Sequence, residues 1–217
     1  VINAAADAGC EGILQVSSAE IYGEDHNAPG STHRGTTSMT GKIGEGFPVT
    51  PRSSYGASKA AIDAYVQARW REAGVPCLAL RQFNCLGERE THEYVVPEII
   101  RQLHHGTELD EQGRRVVRLG NNSVRDFMYA GDAVRAAAEL VECGRWGEVY
   151  NLGSESGVHV YDLALLLAEA AGVDGVVVKE DPTRKRPWEI WHLCSDNAKI
   201  NSVIDYRPRV PLPEALR

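Results

Sequence analysis

The sequence predicts an α/β fold built on a parallel sheet, and three features carry the prediction. Two short apolar runs, Gly12 to Val16 and Cys77 to Phe83, suit strands buried on both faces. Between them, from Tyr55 to about Ala73, lies a segment with helical periodicity. A strand, helix, strand order of this kind implies a right-handed crossover and parallel pairing. Beyond Asn84 the elements shorten and their alternation loosens. That change predicts a core layer over residues 1–84 and mainly a smaller α+β lobe over residues 85–217, with some segments returning to the core.

Taken in order, Val1 to Ala8 reads as the end of a helix stopped by Gly9. The chain opens inside that helix without an initiator Met, so it is expected to be part of a longer one. Residues 24–52, rich in Gly, Ser, Thr and Pro, read as a long loop, a type usually functional or mobile. Ser53 or Ser54 suits the N-cap of the central helix, and Gly74 ends it. Ala60, Ala61, Ala64, Tyr65 and Ala68 are expected to form its apolar face. Further helices are predicted from Val96 to His105, closed by Gly106 and with Pro97 tolerated in the first turn, and from Gly131 to Cys143. Others are predicted from Val160 to Ala171, closed by Gly172, and from Ser195 to Val203. Short strands are predicted from Arg115 to Leu119, Val149 to Leu152 and Val176 to Lys179.

Composition narrows the function classes. With 217 residues the chain is long enough for one sizeable core, or for one domain plus a lobe. A net charge of −7 offers no cationic field for nucleic acid or anionic membrane. The cluster Arg184-Lys185-Arg186 remains available to a small anionic ligand. The five cysteines are odd in number and lack CxxC spacing, which favours buried free thiols in a reducing cytoplasm. No long apolar run or leader-like start points to a membrane span or an export signal. His104 and His105 suit a helix C-terminus, and His33, His92, His159 and His192 lack ligand spacing, so no metal site is expected.

The chemistry-bearing residues begin with Tyr55 and Lys59, four apart and so on one helix face. A cation beside a phenol favours phenolate, which makes tyrosine usable as a base near neutral pH. The spacing alone suits a solvated helix face equally well. Ser17, Ser18 and Glu20 follow a predicted strand, where the carboxyl ends of parallel strands build binding crevices. If the chain stays extended there, Ser18 and Glu20 face the same side. Taken singly, Glu20 reads as a surface carboxylate and Ser18 as a turn hydroxyl.

Ser17-Ser18-Ala19-Glu20-Ile21-Tyr22-Gly23, Ser54-Tyr55-Gly56-Ala57-Ser58-Lys59 and Arg81-Gln82-Phe83-Asn84 together resemble the extended short-chain dehydrogenase/reductases. These are the NAD-dependent sugar-nucleotide epimerases and dehydratases. The resemblance continues through Val124 to Tyr129 with Asp132, Tyr150 to Gly153, and Arg186-Pro187-Trp188-Glu189 to Asp196. It implies a Rossmann-type sheet, N-terminally incomplete, followed by a substrate-binding α+β lobe, with NAD as cofactor, a sugar-nucleotide substrate and a homodimeric assembly. By the same resemblance, Tyr55 takes the sugar hydroxyl proton, Lys59 holds the nicotinamide ribose, Ser18 bonds the reacting oxygen, and Ser17 and Phe83 border the cofactor. Asn84 meets the substrate, Arg125 and Arg186 neutralise its diphosphate with guanidinium forks, and Glu189 accepts from its ribose. For Arg125 the plainer expectation is a salt bridge to Asp126 or Asp132.

Two departures shape the reading. Gly41, Gly44 and Gly46 mimic a dinucleotide fingerprint but follow no predicted strand, so they read as loop, and the pyrophosphate cradle is expected to precede Val1. Glu20 resembles the base of 4,6-dehydratases, yet Ala19 cannot donate the proton that leaves with the sugar hydroxyl. Glu20 is then both base and acid, or a donor lies elsewhere; simple C4 epimerisation needs no Glu20. The segment Tyr94-Val95-Val96-Pro97 after Asn84 is similar to 4-keto-6-deoxy sugar-nucleotide reductases. A non-catalytic nucleotide-binding member of the family is the other alternative. Trp188 and Trp191 suit a nucleotide pocket or core packing equally.

Overall fold

The computed structural model describes residues 1–23, 41–91 and 94–217. The N-terminal half of the long loop expected over residues 24–52 lies outside them, as do His33 and His92. Helix α1 (Ile2–Asp7) leads through Gly9 into strand β1 (Ile13–Ser18), which ends two residues later than expected. Helix α2 (Ser54–Ala73) begins at the N-cap Ser53, whose Oγ accepts from the Gly56 N–H, and ends at Gly74 in the left-handed region at φ 63°. Strand β2 (Cys77–Gln82) follows and pairs with β1 in parallel, from Ile13 opposite Cys77 to Ser18 opposite Gln82. The expected strand, helix, strand unit is present.

Strand β2 then leads into β3 (Asn84–Leu86), α3 (Val95–His105), β4 (Arg115–Leu119), β5 (Val124–Tyr129) and α4 (Ala130–Cys143). Strand β6 (Val149–Leu152) returns to pair with β2 in parallel, giving the order β1-β2-β6. The chain continues through β7 (Gly157–His159), α5 (Val160–Ala170), β8 (Val176–Glu180), β9 (His192–Leu193), α6 (Ala198–Asn201) and α7 (Leu212–Ala215). Strand β5 pairs with β3, β7 and β9, and β4 pairs with β8. Strands β3, β5, β7 and β9 and helix α7 are additions to the sequence reading, and the predicted helix from Ser195 to Val203 contracts to α6. Strands β3, β7 and β9, of two or three residues, carry too little periodicity to be seen in sequence.

The alternation along β2 organises both faces of the first sheet. Leu78 and Leu80 join Ala136 and Leu140 of α4, Tyr150 and Ile200 on one side. Cys77 and Ala79 join Ile2 and Val66 on the other. By the same period of two, Arg81 lies on the α2 side. Its Nε donates to Asp63 Oδ2 at 2.6 Å, and both side chains are at most 5% exposed. A buried guanidinium requires a counter-charge, and this decides which face of α2 turns inward. The buried positions are Gly56, Asp63 and Val66, whereas Ala61, Ala64 and Tyr65, expected in the core, are exposed. The face that turns inward carries a carboxylate, so hydrophobicity alone does not mark it.

Other expectations shift in smaller ways. Cys77 and Cys194 are buried, but Cys10 and Cys143 are exposed, since one follows α1 and the other ends α4. All five are free thiols. Gly41, Gly44 and Gly46 lead into a loop that reaches Ser53, not into a helix, and Phe47 N–H donates to Gly44 O in a tight turn. Among the described residues no helix is long and apolar enough to cross a membrane.

Replacing Asp63 with alanine strands the Arg81 charge in the core, so a loss of about 3–5 kcal/mol is expected in chemical denaturation. Ala64→Ser, one position along and exposed, is expected to cost no more than about 0.5 kcal/mol. Similar losses for the two would show that Arg81 needs no counter-charge.

Candidate functional site

Strand β1 does not stay extended after Ser18. It tightens into a 3₁₀ turn over Ala19–Ile21, capped by Ser18, whose Oγ accepts from the Glu20 N–H at 3.2 Å. Ala19 and Ile21 are pulled into the core beside Tyr22 and Phe83. Glu20 is left as the one polar side chain of the turn, and it swings towards the N-terminus of α2. There Ser53 Oγ donates to Glu20 Oε2 at 3.1 Å. The expected period-two alignment of Ser18 and Glu20 is thus replaced by a turn, because two of its three residues are apolar and bury themselves.

The turn is pressed against α2. Thr50 N–H donates to Ile21 O at 3.0 Å and Thr50 Oγ1 to Tyr22 O at 2.6 Å, fixing the approach to the helix. A Cβ at Gly56 would stand 2.9 Å from Glu20 O, closer than real Cβ contacts come. Glycine is what allows the first turn of α2 to meet the backbone of Glu20.

Tyr55 and Lys59 occupy the first two turns of α2. The Tyr55 side chain is 52% exposed, and Lys59 Nζ lies 5.6 Å from its ring centroid. The same ammonium donates to Val16 O at 2.9 Å, which ties the helix to the carboxyl half of β1. Ser17 is buried, its Oγ has no hydrogen-bond partner among the described residues, and its register with Arg81 puts it on the α2 side. Phe83 lies in the core with its N–H donating to Leu152 O, and half-buried Asn84 opens β3. Exposed Tyr94 caps α3, and Val95 is its first residue.

Arg125 and Glu189, both expected to meet substrate, meet each other. Arg125 Nη2 donates to Glu189 Oε1 at 2.7 Å, and Asn121 Nδ2 donates to Glu189 Oε2 at 2.6 Å. Burial holds the Arg125 guanidinium below its ordinary value, with Glu189 and the more distant Glu20 opposing that shift and Arg186 adding to it. The alternative partners Asp126 and Asp132 are engaged elsewhere. Asp126 accepts from Ser154 and Ser195, and Asp132 accepts from Arg135 and from the backbone N–H groups of Arg209 and Val210. In the basic cluster, Arg184 pairs with Glu98 and Asp181, and Lys185 pairs with Glu180. Exposed Arg186 makes no ion pair with a described residue. Trp188 and Trp191 are 66% and 49% exposed, which removes the core-packing reading, and the Arg52 guanidinium lies 5.9 Å from the Trp188 ring centroid. Among the described residues no group of His, Cys, Asp or Glu is arranged to hold a metal ion.

Ser53 and Asn121 were missed as site members by sequence reasoning. Ser53 gave a signal, as a cap residue directly before the Tyr-Lys pair; Asn121 gave none.

The family model of the NAD dependent epimerase/dehydratase family matches residues 1–153. The dTDP-D-glucose 4,6-dehydratase of Mus musculus is 28% identical over 221 aligned residues, covering 100% of this chain and 57% of that protein. Among solved structures, the dTDP-glucose 4,6-dehydratase of Bacillus anthracis in complex with NAD superposes with a TM-score of 0.79 at 20% identity. That match covers 99% of this chain and 62% of the other. The Streptomyces venezuelae dTDP-glucose 4,6-dehydratase, with NAD and TYD bound, gives 0.77 at 25% identity over 99% and 60%. The chain therefore spans about three-fifths of the length of its relatives, and its parallel layer is of the Rossmann type.

Glu189→Ala is expected to destabilise the protein by about 3 kcal/mol or more, because the Arg125 side chain, 13% exposed, loses its counter-charge. Glu180→Ala, which removes a half-exposed pair with Lys185, is expected to cost under about 1 kcal/mol. Thermal unfolding of the two variants compares them directly.

Proposed function

The chain belongs to the NAD dependent epimerase/dehydratase family, and from that premise we propose that it serves an enzyme acting on a sugar nucleotide through a 4-keto intermediate, with 4,6-dehydration as the net reaction. The observation that supports this reading best is the meeting of Glu20 with the N-terminus of the helix that carries Tyr55 and Lys59. A carboxylate beside a phenol–ammonium pair matches a reaction needing two separate proton transfers. Epimerisation at C4 has no use for the carboxylate.

The residues fit NAD as cofactor. Lys59 lies over the Tyr55 ring at a strand end, with the phenol open to solvent, and ammonium and hydroxyl donors suit a ribose. When bound, NAD supplies a hydride acceptor that is regenerated within the cycle. Lys59 and Phe83 would hold its nicotinamide end, with Ser17 beside them. Tyr55 removes the C4 hydroxyl proton, with the Lys59 ammonium 5.6 Å from its ring centroid. Ser18 keeps its hydroxyl proton after capping the turn and donates it to the reacting oxygen. The keto group acidifies C5, where Glu20 takes the proton. Ala19 is apolar and buried, so the same Glu20 carboxyl protonates the departing C6 hydroxyl. Arg186, exposed and without an ion pair among the described residues, takes the diphosphate. Arg125 and Glu189 border it as a pair, and Asn84, Tyr94 and Val95 complete the substrate side.

We assign residues 1–84 to the cofactor layer and 85–217 mainly to the substrate lobe, with β6 returning to the first. The exposed small face of α2, with Ala57, Ala61 and Ala64, supports a homodimer. Five free thiols suit a cytoplasmic setting.

The test is incubation of the full-length protein with a panel of sugar nucleotides, dTDP-glucose included, with products read by mass. Loss of one water supports dehydration; an unchanged mass with inverted C4 supports epimerisation, and turnover only with stoichiometric reduced cofactor supports a reductase. Tyr55→Phe is expected to lower turnover about 10²–10⁴-fold while leaving sugar-nucleotide affinity nearly intact. Undiminished activity would remove Tyr55 from the chemistry. Glu20→Gln is expected to stop water loss yet allow C4 oxidation, seen as reduced nicotinamide absorbance, and an unaltered product profile counts against its role.

A further inference from the structure

We propose that Ser53 is a positioning residue for Glu20, coupling the cap of α2 to the carboxylate of the elimination step. The inference rests on the reading of Glu20 as the C5 base. A serine hydroxyl carries one proton and two lone pairs. At Ser53 a lone pair is committed to the Gly56 N–H at 2.9 Å, which fixes the side chain as a helix cap. The proton is thereby directed away from the helix, and its acceptor is Glu20 Oε2 at 3.1 Å.

Glu20 is thus held at both ends. Its backbone N–H is bound by Ser18 Oγ at 3.2 Å, and the missing side chain of Gly56 lets its carbonyl sit against α2. With Oε2 tied to Ser53, Oε1 has no protein donor among the described residues and is the oxygen left to work on the substrate. The rotation of the carboxylate, which sets which lone pair meets the C5 proton, is then governed by a residue that need not touch substrate. The helix that carries Tyr55 and Lys59 therefore orients the second proton-transfer group as well as the first.

The experiment uses the full-length protein, dTDP-glucose as probe, and the variants Ser53→Gly and Ser53→Thr. Glycine is nearly as good a cap as serine, so Ser53→Gly removes the donor while sparing the helix. The two steps are read separately, C4 oxidation by reduced nicotinamide absorbance in a single turnover and C5 deprotonation by solvent deuterium uptake. In Ser53→Gly, deuterium uptake is expected to fall roughly tenfold to a hundredfold, the loss typical of a hydrogen bond to a charged group. C4 oxidation and the melting temperature are expected to stay near wild type, and Ser53→Thr is expected to recover the uptake. No change in uptake, or an equal fall in both steps together with the melting temperature, overturns the inference. A wild-type protein that oxidises dTDP-glucose but releases no water overturns the reading of Glu20 on which the inference rests. A wild type that does not oxidise the probe overturns the proposed substrate reaction itself.

Discussion

The position of α2 depends on one buried charge. Arg81 stands in an otherwise apolar strand, with Leu78, Ala79 and Leu80 before it, and its guanidinium is withdrawn from water. A charge in that place is tolerated only when its donors are satisfied and a counter-charge is close. Asp63 takes Nε, while Tyr22 Oη and Glu45 O take Nη1 at 2.9 and 3.2 Å. Tyr22 Oη in turn donates to Asn151 Oδ1 on β6 at 2.7 Å, so the network ties together the turn that follows β1, strand β6, α2 and the loop before it. Burial pushes the Tyr22 phenol up to about 12 against the pull of Arg81, which keeps it a neutral donor throughout the physiological range. Hydrogen bonds are directional where apolar contacts are not. The network therefore sets the rotation of α2 about its own axis, and with it the direction in which Tyr55 and Lys59 face.

That rotation explains why the sequence was legible in its elements and less so in its faces. The strand, helix, strand unit could be read because β2 is apolar over several residues and α2 is punctuated by Ser53 and Gly74 at its ends. The buried face of α2 could not be read from hydrophobicity, because Asp63 and Gly56 sit inside while alanines sit outside. The clue was present in another form, an arginine within a buried strand that calls for an acid on the helix crossing over it. The second sheet was opaque for a different reason. Strand β5 borrows neighbours from β3, β7 and β9, each two or three residues long, and such pairings are decided by distant contacts.

The site shows the same split. Helical spacing puts Tyr55 and Lys59 on one face of α2, as expected, whereas Ser18 and Glu20 sit in a turn that the extended reading did not foresee. The pairing of Arg125 with Glu189 is not local, since 64 residues separate them. Two residues each expected to contact substrate satisfy one another, and Arg186 makes no ion pair among the described residues. A sequence ranks such residues by type, whereas the structure ranks them by which partner they already have.

The turn after β1 adds a stereochemical consequence to the proposed reaction. Ala19 and Ile21 are buried on either side of Glu20, so the turn offers a single carboxyl to the substrate. A group that takes the C5 proton and returns it to the C6 hydroxyl has to reach both atoms from one position, held there by backbone on one side and Ser53 on the other. Both transfers then occur on the same face of the sugar. A second acid at position 19 would relax that constraint, since base and acid need not be the same atoms. The apolar residue beside Glu20 thus makes the geometry of elimination depend on how firmly one carboxylate is held.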